Sequence, residues 1–134
     1  MSGRVLIRNM SDTLRLNIAS LTPLHWVAFA LAIISGFVHL ALVVVGPVPA
    51  LSGFGILFIL AFGGFVGGVA LVAIDFRRNL VYLLGLPYTG SQIVMWYLAN
   101  QPAGPGDLSA FEWVDKLAQV LLLVVLVMLY LNEE

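Results

Sequence analysis

Two histidines, His25 and His39, stand 14 residues apart in an otherwise apolar stretch. On a helix that spacing brings them within about 40° of one another and about 21 Å apart along the axis. Ala28, Ala32, Ser35 and Gly36 occupy the same face. The result is a narrow channel of small residues with an imidazole at each end. An imidazole can ligate a metal or haem iron, carry a proton, or satisfy a buried hydrogen bond. A second polar set comprises His39, Gln92 and Gln119, expected at similar depth on three different helices. An amide bonded to a ring nitrogen there would tie those helices together, because uncompensated polar groups are costly in hydrocarbon. With no cysteine and only two histidines, no metal-ligand constellation is expected. No enzyme is expected either, because no nucleophile has a base beside it and no loop is built to cradle phosphate. Glu112 and Asp115 read as capping and solubility groups at an exposed helix start.

The elements that must position these residues are helices that cross a bilayer. The chain has 134 residues, 61% hydrophobic and 10% charged, with a mean hydropathy of +1.05. Soluble domains carry about 45–50% apolar and about 25% charged residues. A net charge of −1 suggests no nucleic-acid partner. Apolar runs over 24–45, 51–74, 80–98 and 110–131 are each expected to span. The first run exceeds the apolar core of a signal peptide, about 7–15 residues, and is read as a retained span. Together these runs predict an all-α, four-helix transmembrane bundle over residues 22–134.

Residues 1–21 precede it. Leu6, Ile7, Met10, Leu14, Ile18 and Leu21 share one helical face, with Arg4, Arg8, Ser11, Asp12 and Arg15 opposite. That is the pattern of an amphipathic helix lying in the headgroup plane. Thr22 and Pro23 are suited to start the first span, and Ser109 with Glu112 forms a capping box for the fourth. Gly85, Pro87 and Gly90 predict a broken or kinked third span. Gly63, Gly64, Gly67 and Gly68 form two overlapped small-xxx-small pairs on the second, a surface for close helix packing within the chain or between copies. Arg4, Arg8, Arg15, Arg77 and Arg78 fall on one side of the bilayer against Lys116 on the other. By that bias both termini are cytoplasmic, in a multi-pass protein of the cell membrane.

The His25–His39 helix resembles those of b-type cytochromes, in which one helix supplies a ligand to each of two stacked haems. The resemblance implies haem b held by His25 and His39. A parallel homodimer with the two channels facing would supply four histidines, and Met95 or Met128 could serve as an axial ligand. The overall plan resembles small four-span integral membrane proteins of unknown function from halophilic archaea. That match is carried by Thr-Pro-Leu-His25-Trp, Ser-Gly-Phe-Val-His39-Leu, Arg77-Arg78-Asn-Leu and Leu-Pro87-Tyr, and implies a fold and a location without an activity. The leading expectation is a scaffold or accessory subunit that associates with itself or with a larger membrane complex. The alternatives are a homodimeric di-haem electron carrier, and a small-molecule transporter or channel with a broken third helix.

Overall fold

A computed structural model describes residues 19–132; the amphipathic stretch expected over 1–21 lies almost wholly outside them. Four long helices make up the described fold: α1 Pro23–Val44, α2 Gly53–Ala73, α3 Arg78–Asn100 and α4 Ala110–Asn132, with a 3-10 turn at Pro105–Asp107. There is no strand among the described residues. Successive helices run antiparallel. The 45–52 connection and the 101–109 loop share one end of the bundle, the loop end. The tight 74–77 turn lies at the other, the turn end.

Local chemistry sets the helix limits. Thr22 is the N-cap of α1, Pro23 follows it, and His25 reaches back so that its Nδ1 accepts from the Thr22 backbone N–H at 2.9 Å. Ser52 caps α2, its hydroxyl accepting from the Gly55 amide at 3.0 Å. A side chain at Gly55 would collide with the Pro49 carbonyl, so glycine there lets the 45–52 connection fold back on the helix. The Ser109–Glu112 box forms in both directions, with backbone-to-side-chain bonds of 3.3 and 3.2 Å. At the turn end Arg78 is buried and clasps three segments. It donates to the Val72 carbonyl at 2.8 Å and to the Ser20 hydroxyl at 2.9 Å, and it pairs with Asp75 at 3.3 Å.

Three helices, α1, α2 and α4, are long and apolar enough to cross a membrane; α3 is not among them. The expectation of four spans is met by three helices and not by α3. Arg78, Asn79, Thr89, Ser91, Gln92 and Asn100 dilute α3. It is also unbroken from Arg78 to Asn100, with Pro87 inside it. Neighbours hold it through the proline. The Tyr88 hydroxyl donates to the Ala61 carbonyl of α2 at 2.9 Å, and a Cβ at Gly85 would sit 3.1 Å from Leu126 of α4.

Helix α1 packs along α2 and α4, and α4 packs along α3, whereas α2 and α3 touch sparsely. The bundle therefore has one loose seam. Its interior is unusually polar. Ser35 and Gln119 are fully buried and Thr89 is 1% exposed, while Leu60 is 63% and Val124 54% exposed. Apolar atoms left outward and polar groups turned inward suit hydrocarbon as the solvent and fit a membrane protein.

Candidate functional site

The buried face of α1 consists of His25, Ala28, Ala32, Ser35, Gly36, Val38 and His39. It contains the whole small-residue channel. Side chains from α2 and α4 occupy the channel: Ala28 and Ala32 belong to one core cluster with Phe65, Leu122, Leu126 and Leu129. A porphyrin against this face would have to displace them.

The two histidines have different surroundings. His25, 3% exposed, sits near the turn end. Its Nδ1 accepts from the Thr22 amide and contacts the Thr22 hydroxyl at 2.8 Å, which places the ring proton of the neutral form on Nε2. That nitrogen then donates to the Tyr82 hydroxyl at 2.9 Å, joining α1 to α3. His25 is thus a structural tie between α1 and α3. Near the loop end, His39 Nδ1 donates to the Ser35 carbonyl at 2.7 Å and lies 3.8 Å from Asp115. In the neutral ring Nε2 is left as an acceptor, with no partner among the described residues. Phe58 meets the ring edge-on at 5.1 Å between centroids.

The polar set expected around His39 is larger than His39, Gln92 and Gln119. Gln119 donates to Gln92 at 2.9 Å, joining α4 to α3. His39 bonds to neither amide. Asp115 lies between them, only 4% exposed, and one of its oxygens accepts from the Ser35 hydroxyl at 2.5 Å. Lys116 pairs with the other oxygen at 2.9 Å and donates to Gln119 at 2.9 Å. Its ammonium lies 5.2 Å from the centroid of the Trp96 ring. The Trp96 indole N–H in turn donates to Glu112 at 2.8 Å. Asp115 is thus a buried ion-pair partner and not an exposed solubility group, and Lys116 turns to it rather than to Glu112 one helical turn away.

This network forms one wall of an open cavity of about 520 Å³ at the loop end, where all four helices contribute lining. The remaining walls are mostly apolar, with aromatic faces from Phe54, Phe58, Trp96 and Phe111. A smaller crevice of about 70 Å³ follows the α2–α3 seam past Gly64, Gly68 and Thr89. The glycines divide between two roles. Tyr88 packs directly onto Gly64, where any Cβ would clash with its hydroxyl. Nothing lies within 4 Å of a Cβ at Gly63, Gly67 or Gly68. Of the two methionines considered as haem ligands, Met95 lines the cavity and Met128 is 45% exposed. Among the described residues, no three His, Asp or Glu side chains converge as a metal site.

Asp115 could have been found from periodicity. Asp115, Ala118, Gln119, Leu122, Val125, Leu126 and Leu129 are the buried residues of α4, spaced three and four apart. Extending the apolar stripe back one turn from Gln119 reaches Asp115. Ser35 was marked as a small residue of the channel, but nothing local announced the carboxylate it meets 80 positions later.

Comparison with known proteins adds a family. A model described as a family of unknown function (DUF7475) matches residues 11–130. The chain belongs to that family. The DUF7475 match takes in all four helices almost to the end of α4, so both histidines, Asp115 and the whole cavity lining lie within the family's span. No curated protein and no solved structure matches the chain.

Proposed function

We propose that this is a four-span membrane protein that holds a small molecule in the cavity at its loop end. The carrying observation is Asp115, a buried carboxylate at the wall of an open cavity, bonded to Ser35 and Lys116 and close to His39. Apolar walls with a few convergent polar groups, in a volume between roughly 300 and 1,000 Å³, are the ordinary form of a small-ligand site. Buried ionisable groups in membrane helices are costly and mark ligand or ion paths. Binding is favoured over catalysis because Ser35, the one hydroxyl bonded to Asp115 among the described residues, is fully buried and spends its proton on that carboxylate.

In this reading α3 crosses with the other three helices. Its 23 residues extend about 35 Å, long enough for the hydrocarbon core; Tyr82, Tyr88 and Gln92 bond to α1, α2 and α4, while Ser91 and Asn100 bond to carbonyls of α3 itself. The arginine bias places both termini in the cytoplasm and the cavity on the outer side of the cell membrane. The test is mass spectrometry of solvent extracts from the purified protein, wild type against Ala99→Phe, which fills the cavity from its rim. A small molecule carried by wild type and lost from the variant supports the reading; identical extracts overturn it.

A second reading, self-association as a scaffold or accessory subunit, is favoured by the open Gly63 and Gly67 positions. They leave a strip of α2 that a neighbouring backbone can approach. An unchanged mass in detergent for Gly63→Ile with Gly67→Ile would remove that interface.

A further inference from the structure

We infer that the ligand of the loop-end cavity is an organic monocation, an ammonium group carried on an apolar or aromatic body; this rests on the binding assignment above. The first support is charge. Glu112, Asp115 and Lys116 are the charged residues among the cavity lining, two carboxylates against one ammonium. Lys116 is already committed to Asp115, to Gln119 and to the Trp96 face. Glu112 accepts from the Trp96 indole and the Ser109 amide, and Lys116 acts on it only through space as the weakest of these influences. The cavity therefore has one negative charge in excess, at Glu112, fixed beside an indole.

The second support is the wall. Phe54, Phe58 and Phe111 line the space together with Trp96, whose ring already has the Lys116 ammonium over it. Ring faces attract cations and are indifferent or hostile to anions. Lys116 above Trp96 shows that an ammonium is accommodated at this spot. The third support is His39. Its Nδ1 proton is spent on the Ser35 carbonyl, so the neutral ring presents Nε2 as an acceptor at the cavity. An ammonium N–H supplies the donor that acceptor lacks. An anionic ligand would meet Glu112 and an acceptor nitrogen, and Lys116, the one cation among the described lining residues, is already paired.

The test uses three probes of nearly equal size and different charge: phenethylammonium, 2-phenylethanol and phenylacetate. Full-length protein in detergent at pH 7 is titrated with each. Trp96 fluorescence is the readout, in a background where Trp26 and Trp113 are replaced by Phe. The ammonium is expected to bind about tenfold or more tighter than the alcohol, with the acid weakest. Glu112→Gln should bring the ammonium and the alcohol to within about threefold of each other. That change keeps the capping box, which accepts Gln as readily as Glu, so loss of folding does not confound it. Saturable binding of all three with equal affinity, or with the alcohol or acid tightest, overturns the monocation inference while leaving the cavity as a binding site. No saturable change with any probe overturns both.

Discussion

Removing the Asp115 carboxylate should destabilise this protein more than truncating most of its leucines, and removing its partner as well should restore part of the loss rather than add to it. Asp115 is 4% exposed and accepts from both Ser35 and Lys116. The Lys116 side chain is 12% exposed in that pair. Breaking a buried ion pair from one side costs about 3–5 kcal/mol, mostly the penalty of stranding the other charge. Asp115→Leu leaves Lys116 with Gln119 and the Trp96 face, so the loss belongs at the lower end, about 3 kcal/mol. Lys116→Met strands the carboxylate with Ser35 and a histidine 3.8 Å away, again about 3 kcal/mol. The double variant replaces both charges with apolar groups of similar volume. It orphans only the Ser35 hydroxyl and one Gln119 bond, for about 2 kcal/mol. The cycle thus predicts a coupling of about 4 kcal/mol against additive singles. Reversible unfolding in mixed micelles of increasing SDS fraction measures each corner. A single variant that costs under about 1 kcal/mol, or a double that costs the sum of the singles, refutes the buried pair.

Other outcomes follow from the packing. Gly64→Ile drives a side chain into Tyr88 and should reduce stability by about 2 kcal/mol or more, whereas Gly63→Ile, with open space at its Cβ, should leave unfolding almost unchanged. Thermal unfolding of the two side by side separates them. Tyr82→Phe deletes the 2.9 Å bond to His25 inside the core and should cost about 1 kcal/mol in the same assay. Gln101 ends α3 with a left-handed φ of 40°. Gln101→Gly should therefore raise stability by up to about 1 kcal/mol, visible as a higher unfolding midpoint.

Much of the fold was visible in residue order because its signals are local. Thr22-Pro23 and Ser109-to-Glu112 start their helices where capping chemistry requires. The small-residue face of α1 is the face that packs, because Ala28, Ala32 and Gly36 let α2 and α4 come close. Pro87, Gly85 and Gly90 weaken α3 locally and predict a break or a kink there. Its continuity comes from Tyr88 on Ala61 and from Leu126 over Gly85, contacts that no neighbouring residue in sequence announces. The site was half visible for the same reason. His39, Gln92 and Gln119 stand out as polar groups in apolar runs. Asp115 and Lys116 precede the most apolar part of α4 and look solvated until Ser35 and Gln119 meet them. The glycines of α2 carried a double meaning that only tertiary structure divides, Gly64 under Tyr88 and Gly63 facing outward.

The placement of the cavity rests on α3 crossing the bilayer, which sets the 101–109 loop on the opposite side from the 74–77 turn. The native chain has no cysteine, so single cysteines give unambiguous labels. Ala103→Cys in the loop and Phe76→Cys in the turn are exposed to an impermeant maleimide in intact cells, with and without permeabilisation. The account predicts that Ala103→Cys labels at once and Phe76→Cys only after permeabilisation. Labelling of both from the same side would contradict the four-span arrangement and, with it, the placement of the cavity.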